Sequence, residues 1–447
     1  MVELDKVVDK VVSWAGNDEQ VEAFASWDRE LDVRVYEGKV EYLTQAESSG
    51  LGVRVIKNGR QGFAYAQTLD ESALREVLEE ARDNLEFATY DEHIGLPEPD
   101  GVSPVDLELW DGGVLDTPTK LKVGLALELE KVILNGDSRI QKVESSNYAD
   151  VAWEAALAST TGMKASSRGT GAFLTAHALA EQDGDVRTGG GFSVGRAPDN
   201  LSIEEAGKDT IERSTRLLGA VKPKSNRLTV VLDPRVAATF LSIVVGTLSG
   251  DAVEKGRSLF AGRISETVGA ESLTLVEDPT NPLAYLASRF DAEGLACRPV
   301  TLIENGVLRG YLYDTYSARR AKVSSTASAS RAGFASTPGV GFRAVNCKPG
   351  LESPDDIVAG IDEGVLVCSI SGVHSGVNPI SGDFSVGAEG LMIRNGTIGS
   401  PIKEATIAST IQKMLLGIVG IGNDQEWLPG PSVGVTMAIS DISLSGS

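Results

Sequence analysis

The chain has 447 residues, of which 42% are hydrophobic and 23% are charged, a composition typical of globular proteins. This length exceeds what one hydrophobic core usually organises, so we expect two domains of about 200 residues each. The 41 basic and 63 acidic residues give a net charge of −22, which would repel a phosphate backbone and disfavours nucleic acid and anionic membranes as partners.

The first part of the chain predicts helices and hairpins. Apolar residues at helical spacing between Leu4 and Val12 predict an amphipathic helix, and β runs follow around 21–27, 31–36 and 39–46. Two further strands meet at Asn58-Gly59. A helix from about 69 to 87 comes next, and we expect Thr68 and Glu71 to form its capping box.

An Asn-Gly pair between two β runs occurs three times, at Asn58-Gly59, Asn305-Gly306 and Asn395-Gly396. Both residues tolerate positive φ, so the pairs predict three independent hairpins. The polar link AVKPKSN is the best candidate for a domain boundary. The sequence thus predicts an α+β protein, with an N-terminal α/β domain of hairpins and helices at 1–220 and a C-terminal β-rich domain at 221–447.

The segment 365–396 consists of two β runs around a loop dense in Gly, Ser, Asn and Pro. A connection of about a dozen residues without secondary structure is uncommon unless it binds something. An ordinary surface connection is the alternative interpretation. The polar side chains that the loop offers to a ligand are Ser375, Asn378, Ser381 and Asp383.

Few residues outside this loop suggest catalysis. The three histidines, His93, His177 and His374, lie far apart in sequence, so they cannot form a local metal site. His374 adjoins Ser375, but no GxSxG nucleophile elbow is present. The residues around Tyr311 and Asp314 fit either a strand running into a helix N-terminus or a ligand-binding cluster.

The N-terminal residues MVELDKVVDKVVSWAG lack the core of a signal peptide. The longest apolar run, near 237–248, is interrupted by polar residues and is too short to span a bilayer. Three widely spaced cysteines indicate neither a disulfide framework nor a zinc knuckle. We therefore expect a cytoplasmic protein without a membrane partner.

Three stretches carry a family resemblance: ENGVLRGYLYDTYSAR, VNPISGDFSVGAEGLMIRNG and IKEATIAST. They resemble the TldD/PmbA family, and specifically its TldE (PmbA) branch, over nearly the full length of the chain. The resemblance implies a heterodimer in which TldD is a zinc-dependent peptidase with an HExxxH helix and TldE is its partner. It also implies a chamber that admits unfolded or extended peptides, and a barrel-like C-terminal domain.

The chain departs from the catalytic branch at the metal helix. The segment VVLDPRVAATFLSIVVGTLSGDAVEKGRSLF looks like the corresponding TldD region, with Leu241 and Gly246 at the histidine positions and Ser242 at the glutamate position. Leucine and glycine cannot ligate zinc, and serine is a poor general base. The cysteine ligand of the catalytic branch is also missing, since Cys368 lies earlier, inside the strand. The resemblance therefore implies no cofactor in this chain and zinc in the partner.

These observations predict a non-catalytic subunit that completes the chamber and helps to bind extended peptides for proteolysis or leader-peptide trimming. Such a peptide can bind by joining a sheet as an added strand. One alternative is a self-sufficient hydrolase whose metal site combines scattered carboxylates with His374. A DNA-gyrase modulator is another, which the net charge disfavours. The predicted peptide contacts are Asn378, Ser381 and Asp383, followed by Tyr311 and Asp314.

Overall fold

The computed structural model describes residues 3–446 and contains two large β assemblies. The first is a six-stranded antiparallel sheet with the strand order β3-β2-β1-β4-β5-β6. Its part of the chain comprises α1 (Leu4–Val12), β1 (Gln20–Tyr36), β2 (Lys39–Lys57), β3 (Arg60–Ala66), α2 (Glu71–Asp83), a 3-10 turn (Asn84–Phe87), α3 (Gly113–Asp116), α4 (Thr119–Gly136), β4 (Ile140–Ser159), β5 (Lys164–Gln182), β6 (Asp185–Gly195), a 3-10 turn (Pro198–Asn200) and α5 (Ile203–Thr215).

Alternation along the strands assigns one face of this sheet to the helices. Val21, Ala23 and Ala25 of β1 pack with α1 and α2, and the odd residues further along β1 pack with α4 and α5. The glycine-rich strand β6 lets α5 approach closely, because a Cβ at Gly189 would lie 2.3 Å from the α5 backbone. The even residues of β1 therefore face away from the helices, towards the C-terminal part.

The second assembly is a closed five-stranded barrel. Strands pair in the order β16-β15-β14-β7-β20, and pairing of β16 with β20 closes the ring. The elements of this part are β7 (Asn226–Leu232), α6 (Pro234–Gly246), α7 (Gly250–Glu254), β8 (Leu275–Glu277), β9 (Val300–Glu304), β10 (Val307–Leu308), α8 (Thr315–Ala321), β11 (Ala329–Ser330), β12 (Gly339–Val340), β13 (Val345–Cys347), α9 (Pro354–Ala359), β14 (Glu363–Ser371), α10 (Val373–Gly376), β15 (Asp383–Arg394), β16 (Thr397–Thr410), α11 (Ile411–Leu416), β17 (Ile418–Ile421), β18 (Glu426–Trp427), β19 (Val433–Gly434) and β20 (Met437–Ser445).

Helix α6 packs against the barrel in the largest hydrophobic core of the described chain, which also includes the four-stranded sheet β10-β9-β8-β13. The α+β class and the β-rich, barrel-like C-terminal part are confirmed. Among the helices within residues 3–446, none has the length and apolar character needed to cross a membrane.

The three Asn-Gly hairpins are confirmed, with φ near 50° at Asn58, Asn305 and Asn395. The prediction of a capping box at the start of α2 is wrong. Asp70 is the N-cap residue and its side chain makes no capping hydrogen bond, whereas the Thr68 hydroxyl bonds to Asp70. The short β runs predicted in the first part belong to two longer strands in the structure, β1 with 17 residues and β2 with 19 residues.

Candidate functional site

Helix α6 carries the positions that the resemblance equates with the metal motif. Leu241 is completely buried in the hydrophobic core, whereas Gly246 is exposed and a Cβ there would meet no atom within 4 Å. Five residues along an α-helix correspond to a rotation of about 140° beyond one full turn, so the two positions face different surroundings. The Ser242 hydroxyl lies 2.7 Å from that of Ser432. These residues do not fit a zinc ion.

Ion pairs hold the start of α6 against α5. Asp233 caps α6 by accepting a hydrogen bond from the backbone N–H of Arg235, and its carboxylate also contacts Arg213 and Arg216. Asp209 of α5 bonds to Arg213 at 2.7 Å and to Arg235. Helix α6 is therefore fixed to the N-terminal part of the chain by partly buried charges.

The remaining candidate ligands and nucleophiles are dispersed. Within residues 3–446, no group of three or more His, Cys, Asp or Glu residues is placed to hold a metal ion. His177 on β5 and His374 on α10 are both exposed. Burial raises the pKa of Cys297 and Cys347 to about 12 and that of Cys368 to about 11, so all three remain thiols at neutral pH.

The loop between β14 and β15 contains the helical turn α10 and a compact polar network. The Asn378 side-chain oxygen accepts hydrogen bonds from the backbone N–H groups of Ile380 and Ser381. The Ser381 hydroxyl donates to Asp383 at 2.7 Å, and the backbone N–H of Asn378 donates to the Asp383 carbonyl. Asn378, Ser381 and Asp383 are all exposed, so the structure brings these three predicted residues together at the surface.

This loop is anchored next to α6. Phe384, which follows it, packs edge-on against Phe240 of α6 with ring centroids 6.0 Å apart. The side-chain amide of Gln412 donates to the Ser381 carbonyl at 3.2 Å. One aromatic contact and one hydrogen bond therefore anchor the exposed polar turn to the rest of the C-terminal part.

Tyr311 and Asp314, unlike the loop residues, are buried. The Tyr311 hydroxyl donates to the Phe260 carbonyl at 2.6 Å. Asp314 caps α8 by accepting from the backbone N–H and the hydroxyl of Ser317. Both side chains make structural contacts, and the Asp314 cap agrees with the interpretation of a strand running into a helix N-terminus.

Four buried charged residues, which the sequence analysis did not single out, join the sheet to the C-terminal part. We call them the interdomain charge cluster: Glu22, Arg54, Glu293 and Arg331. Glu22 accepts hydrogen bonds from Arg54 at 2.5 and 2.9 Å and from Arg331 at 2.8 Å. Arg54 also lies 3.9 Å from Glu293, whose other oxygen accepts from the backbone N–H of Thr315. The sequence signal was a charged residue within an otherwise apolar strand, such as Arg54 between two valines.

The two carboxyl groups of the cluster titrate in opposite directions. Burial alone would raise the pKa of Glu22, but the charges of Arg54 and Arg331 outweigh it and hold this pKa at about 2. Burial raises the pKa of Glu293 to about 7, because its contact with Arg54 is long and Asp291 lies nearby. Glu293 and Arg54 line a cavity of about 430 Å³, together with Asp314.

Comparison with known families covers most of the chain. The PmbA/TldA metallopeptidase C-terminal domain matches residues 225–446. Domain 1 of the same metallopeptidases matches residues 21–85, and their central domain matches residues 113–218.

Individual relatives extend over nearly the whole length. The chain is 26% identical to the metalloprotease PmbA of Escherichia coli O157:H7, over 94% of this chain and 92% of that protein. It is also 26% identical to a metalloprotease of Methanothermobacter thermautotrophicus, over 90% and 87% of the two chains.

Solved structures show the same fold. TldE from Thermococcus kodakarensis matches with a TM-score of 0.90 at 21% identity and full coverage of both chains. A Thermotoga maritima protein, named as a candidate modulator of a DNA gyrase, matches with a TM-score of 0.90 at 25% identity, covering 99% of this chain and 100% of that one. The chain belongs to the PmbA/TldD family of metallopeptidases.

Proposed function

We propose that this chain is the non-catalytic subunit of a TldD/TldE-type zinc metallopeptidase and pairs with a TldD-type subunit that carries the zinc. The observation that carries the proposal is the chemistry of α6. Leu241 and Gly246 offer no ligand atom and face different surroundings, and the Ser242 hydroxyl bonds to Ser432. The structural likeness to TldE supports the assignment to this branch.

The role of the chain is then to complete a chamber and to orient an extended peptide towards the zinc of the partner, for proteolysis or leader-peptide trimming. Asn378, Ser381 and Asp383 are the proposed contacts, because they are exposed on an anchored turn. Buried Tyr311 and Asp314 would contribute by holding α8 and its surroundings in place. We propose the domains 1–220 and 221–447 and a cytoplasmic location for this complex.

The test is to measure the zinc content of the purified chain and its cleavage of an unfolded peptide, alone and after mixing with a TldD-type subunit. We expect no stoichiometric zinc and no cleavage from the chain alone, and cleavage from the mixture. A matched control mixes the chain with a partner whose HExxxH glutamate is replaced by glutamine, which should bind but not cleave. One zinc per chain together with cleavage by the chain alone would overturn the proposal.

The loop contribution needs its own variants, Asn378→Ala and Asp383→Ala, assayed in the mixture. We expect complex formation with reduced peptide cleavage. Glu304→Gln, in an exposed ion pair with Arg309 on the β9-β10 hairpin, is the control that should leave both unchanged. Assembly and cleavage that are normal in both loop variants would remove the loop from the proposed binding surface.

A further inference from the structure

A second cavity, of about 530 Å³, lies between the N-terminal sheet and the C-terminal part. Its floor is the sheet face opposite the helices, and Phe24 of β1 and Trp153 of β4 both lie on that face. Its roof comes from the segments around Tyr285 and Phe342. The volume falls within the range of about 300–1,000 Å³ found for small-molecule sites.

Aromatic rings form much of the cavity wall. Phe173 packs against Tyr285 with ring centroids 5.0 Å apart, and Phe24 lies under the guanidinium of Arg331 at 4.3 Å. Trp153, Phe290 and Phe342 also belong to the aromatic lining. Such a wall suits a flat apolar group, because ring contacts add to the free energy of burying apolar surface.

Two arginines in the lining lack a carboxylate partner. Arg196 donates to the backbone carbonyls of Thr170 and Ala284, and Arg343 donates to that of Ala329. No carboxylate of the described residues lies within ion-pairing distance of either guanidinium. Burial lowers the pKa of Arg196, which reflects the cost of keeping this charge away from water. An anion in the cavity would offset that cost.

Two further polar atoms are unsatisfied in the same wall. The Tyr285 hydroxyl and the Arg331 Nε are buried and have no hydrogen-bond partner. Buried polar groups in folded proteins are normally paired with protein, water or ligand. The Arg196 guanidinium lies 5.3 Å from the centroid of the Tyr285 ring, so its charge, which no carboxylate neutralises, lies close to the unsatisfied Tyr285 hydroxyl in the lining.

The carboxylates of the lining form no ion pair with Arg196 or Arg343. Asp291 accepts hydrogen bonds from the backbone N–H groups of Glu293, Leu295 and Ala329. Glu154 is paired in register with Trp27, so it belongs to the opposite face of the sheet. Asp28 shares the face of Trp153, and burial raises its pKa. The charge of Arg343 partly offsets the burial of Asp291 and of the neighbouring Glu277, but neither carboxylate forms an ion pair with its guanidinium, so Arg343 and Arg196 can both still donate to a bound carboxylate.

From this geometry we propose that the cavity binds an aromatic monocarboxylate, with its ring among Phe24, Trp153 and Phe173 and its carboxylate at Arg196 and Arg343. The planar guanidinium can bind a carboxylate through two parallel hydrogen bonds. The same chemistry is offered by a free aromatic acid and by the C-terminal residue of a peptide. The inference does not depend on the proposed metallopeptidase subunit role.

The first experiment compares ligands on the unchanged full chain. 3-Phenylpropionate and its amide are titrated by calorimetry up to ~10 mM, which would nearly saturate a site with a Kd of about 1 mM. We expect binding of the acid that is at least about tenfold tighter than that of the amide, because a charged acceptor is removed. Equal binding of acid and amide, or no binding of the acid, would overturn the proposal.

A second pair of ligands identifies the source of the carboxylate. The peptide Gly-Gly-Gly-Phe with a free C-terminus is compared with its C-terminal amide under the same conditions. Binding of the free peptide as tightly as 3-phenylpropionate supports a peptide C-terminus as the ligand. Binding of 3-phenylpropionate without the peptide supports a small free acid.

Variants then locate the bound acid. Arg196→Gln and Arg343→Gln should each weaken binding of 3-phenylpropionate by at least about tenfold, with little effect on the amide. Arg309→Gln removes an exposed arginine outside the cavity lining and should change neither. Tight binding of the acid by folded forms of both cavity variants would contradict the assigned carboxylate position, and the ligand comparison remains decisive if either variant fails to fold.

Discussion

The interdomain charge cluster and the polar turn at 378–383 have similar chemistry and opposite surroundings. Glu22, at the centre of the cluster, is 1% exposed and bonds to two guanidinium groups. The turn places Asn378, Ser381 and Asp383 in solvent, where water can replace each hydrogen bond. Burial therefore makes the cluster a determinant of stability. Exposure leaves the turn available for contacts with other molecules.

The largest expected effect comes from breaking the buried side of this comparison. Glu22→Gln would leave Arg54 and Arg331 without their common counter-charge in a nearly water-free site. We expect the free energy of unfolding to fall by about 3–5 kcal/mol, as measured for broken buried ion pairs. Urea unfolding followed by circular dichroism measures the change.

The matched control is Glu304→Gln, which removes the exposed ion pair with Arg309 at 3.0 Å. Exposed pairs contribute between about 0 and 1 kcal/mol, so this variant should unfold almost as the native chain does. Similar losses in Glu22→Gln and Glu304→Gln would show that burial does not separate the two kinds of site.

Helix α6 repeats the comparison within one element. Leu241→His places an imidazole in the completely buried core, and we expect a loss of about 2–5 kcal/mol from the missing apolar contacts and the buried polar ring. Gly246→His lies at an exposed position with open space around it, so its effect should stay below about 1 kcal/mol. Thermal unfolding of both variants would contradict this picture if Leu241→His were as stable as Gly246→His.

The pH dependence of stability tests how burial affects Glu293 within the cluster. Burial raises the pKa of Glu293 from 4.5 to about 7, so the folded chain holds this proton more tightly than the unfolded chain. The resulting stabilisation is fully present below pH 4.5 and is lost as the pH rises towards 7.

Glu293→Gln should therefore flatten the fall in stability across that interval, by about 1–3 kcal/mol. Asp291, whose pKa burial also raises, remains in the variant and should retain part of the slope. Urea midpoints measured from pH 4.5 to 7 provide the comparison. Parallel profiles for native and variant chains would contradict a buried Glu293 with a raised pKa.

The smallest stability effect is expected in the exposed turn. Asn378→Ala removes an acceptor for two backbone N–H groups that water can reach, so the free energy of unfolding should fall by about 1 kcal/mol or less. Calorimetric unfolding measures this change. A loss as large as that of Glu22→Gln would mean that the turn is a structural element of the fold.

Local sequence signals predicted much of the architecture. Asn-Gly pairs set three hairpins because both residues accept positive φ, and the sequence pattern predicted the helices α1 and α2. The predicted capping box with Thr68 does not form, because a short-range sequence pattern does not fix which residue takes the N-cap position. Asp70 took the cap position, and Thr68 bonded to it.

The candidate sites also differ in how far sequence alone could predict them. The loop residues Asn378, Ser381 and Asp383 lie within six positions of one another, so sequence alone could group them. Glu22 and Glu293 are separated by 271 positions, and no local pattern indicates that they share one buried cluster. Arg196 and Arg343 are separated by 147 positions in sequence, and only the folded chain brings both into the lining of one cavity.

By itself, the sequence determined the family resemblance, the hairpin turns and the absence of ligand atoms at positions 241 and 246, since these depend on residue identity. The tertiary structure alone decided which charges are buried, which surroundings Leu241 and Gly246 face and which arginines lack a carboxylate partner. The reason is that burial and pairing depend on contacts between residues distant in the chain, and these contacts set the local dielectric environment.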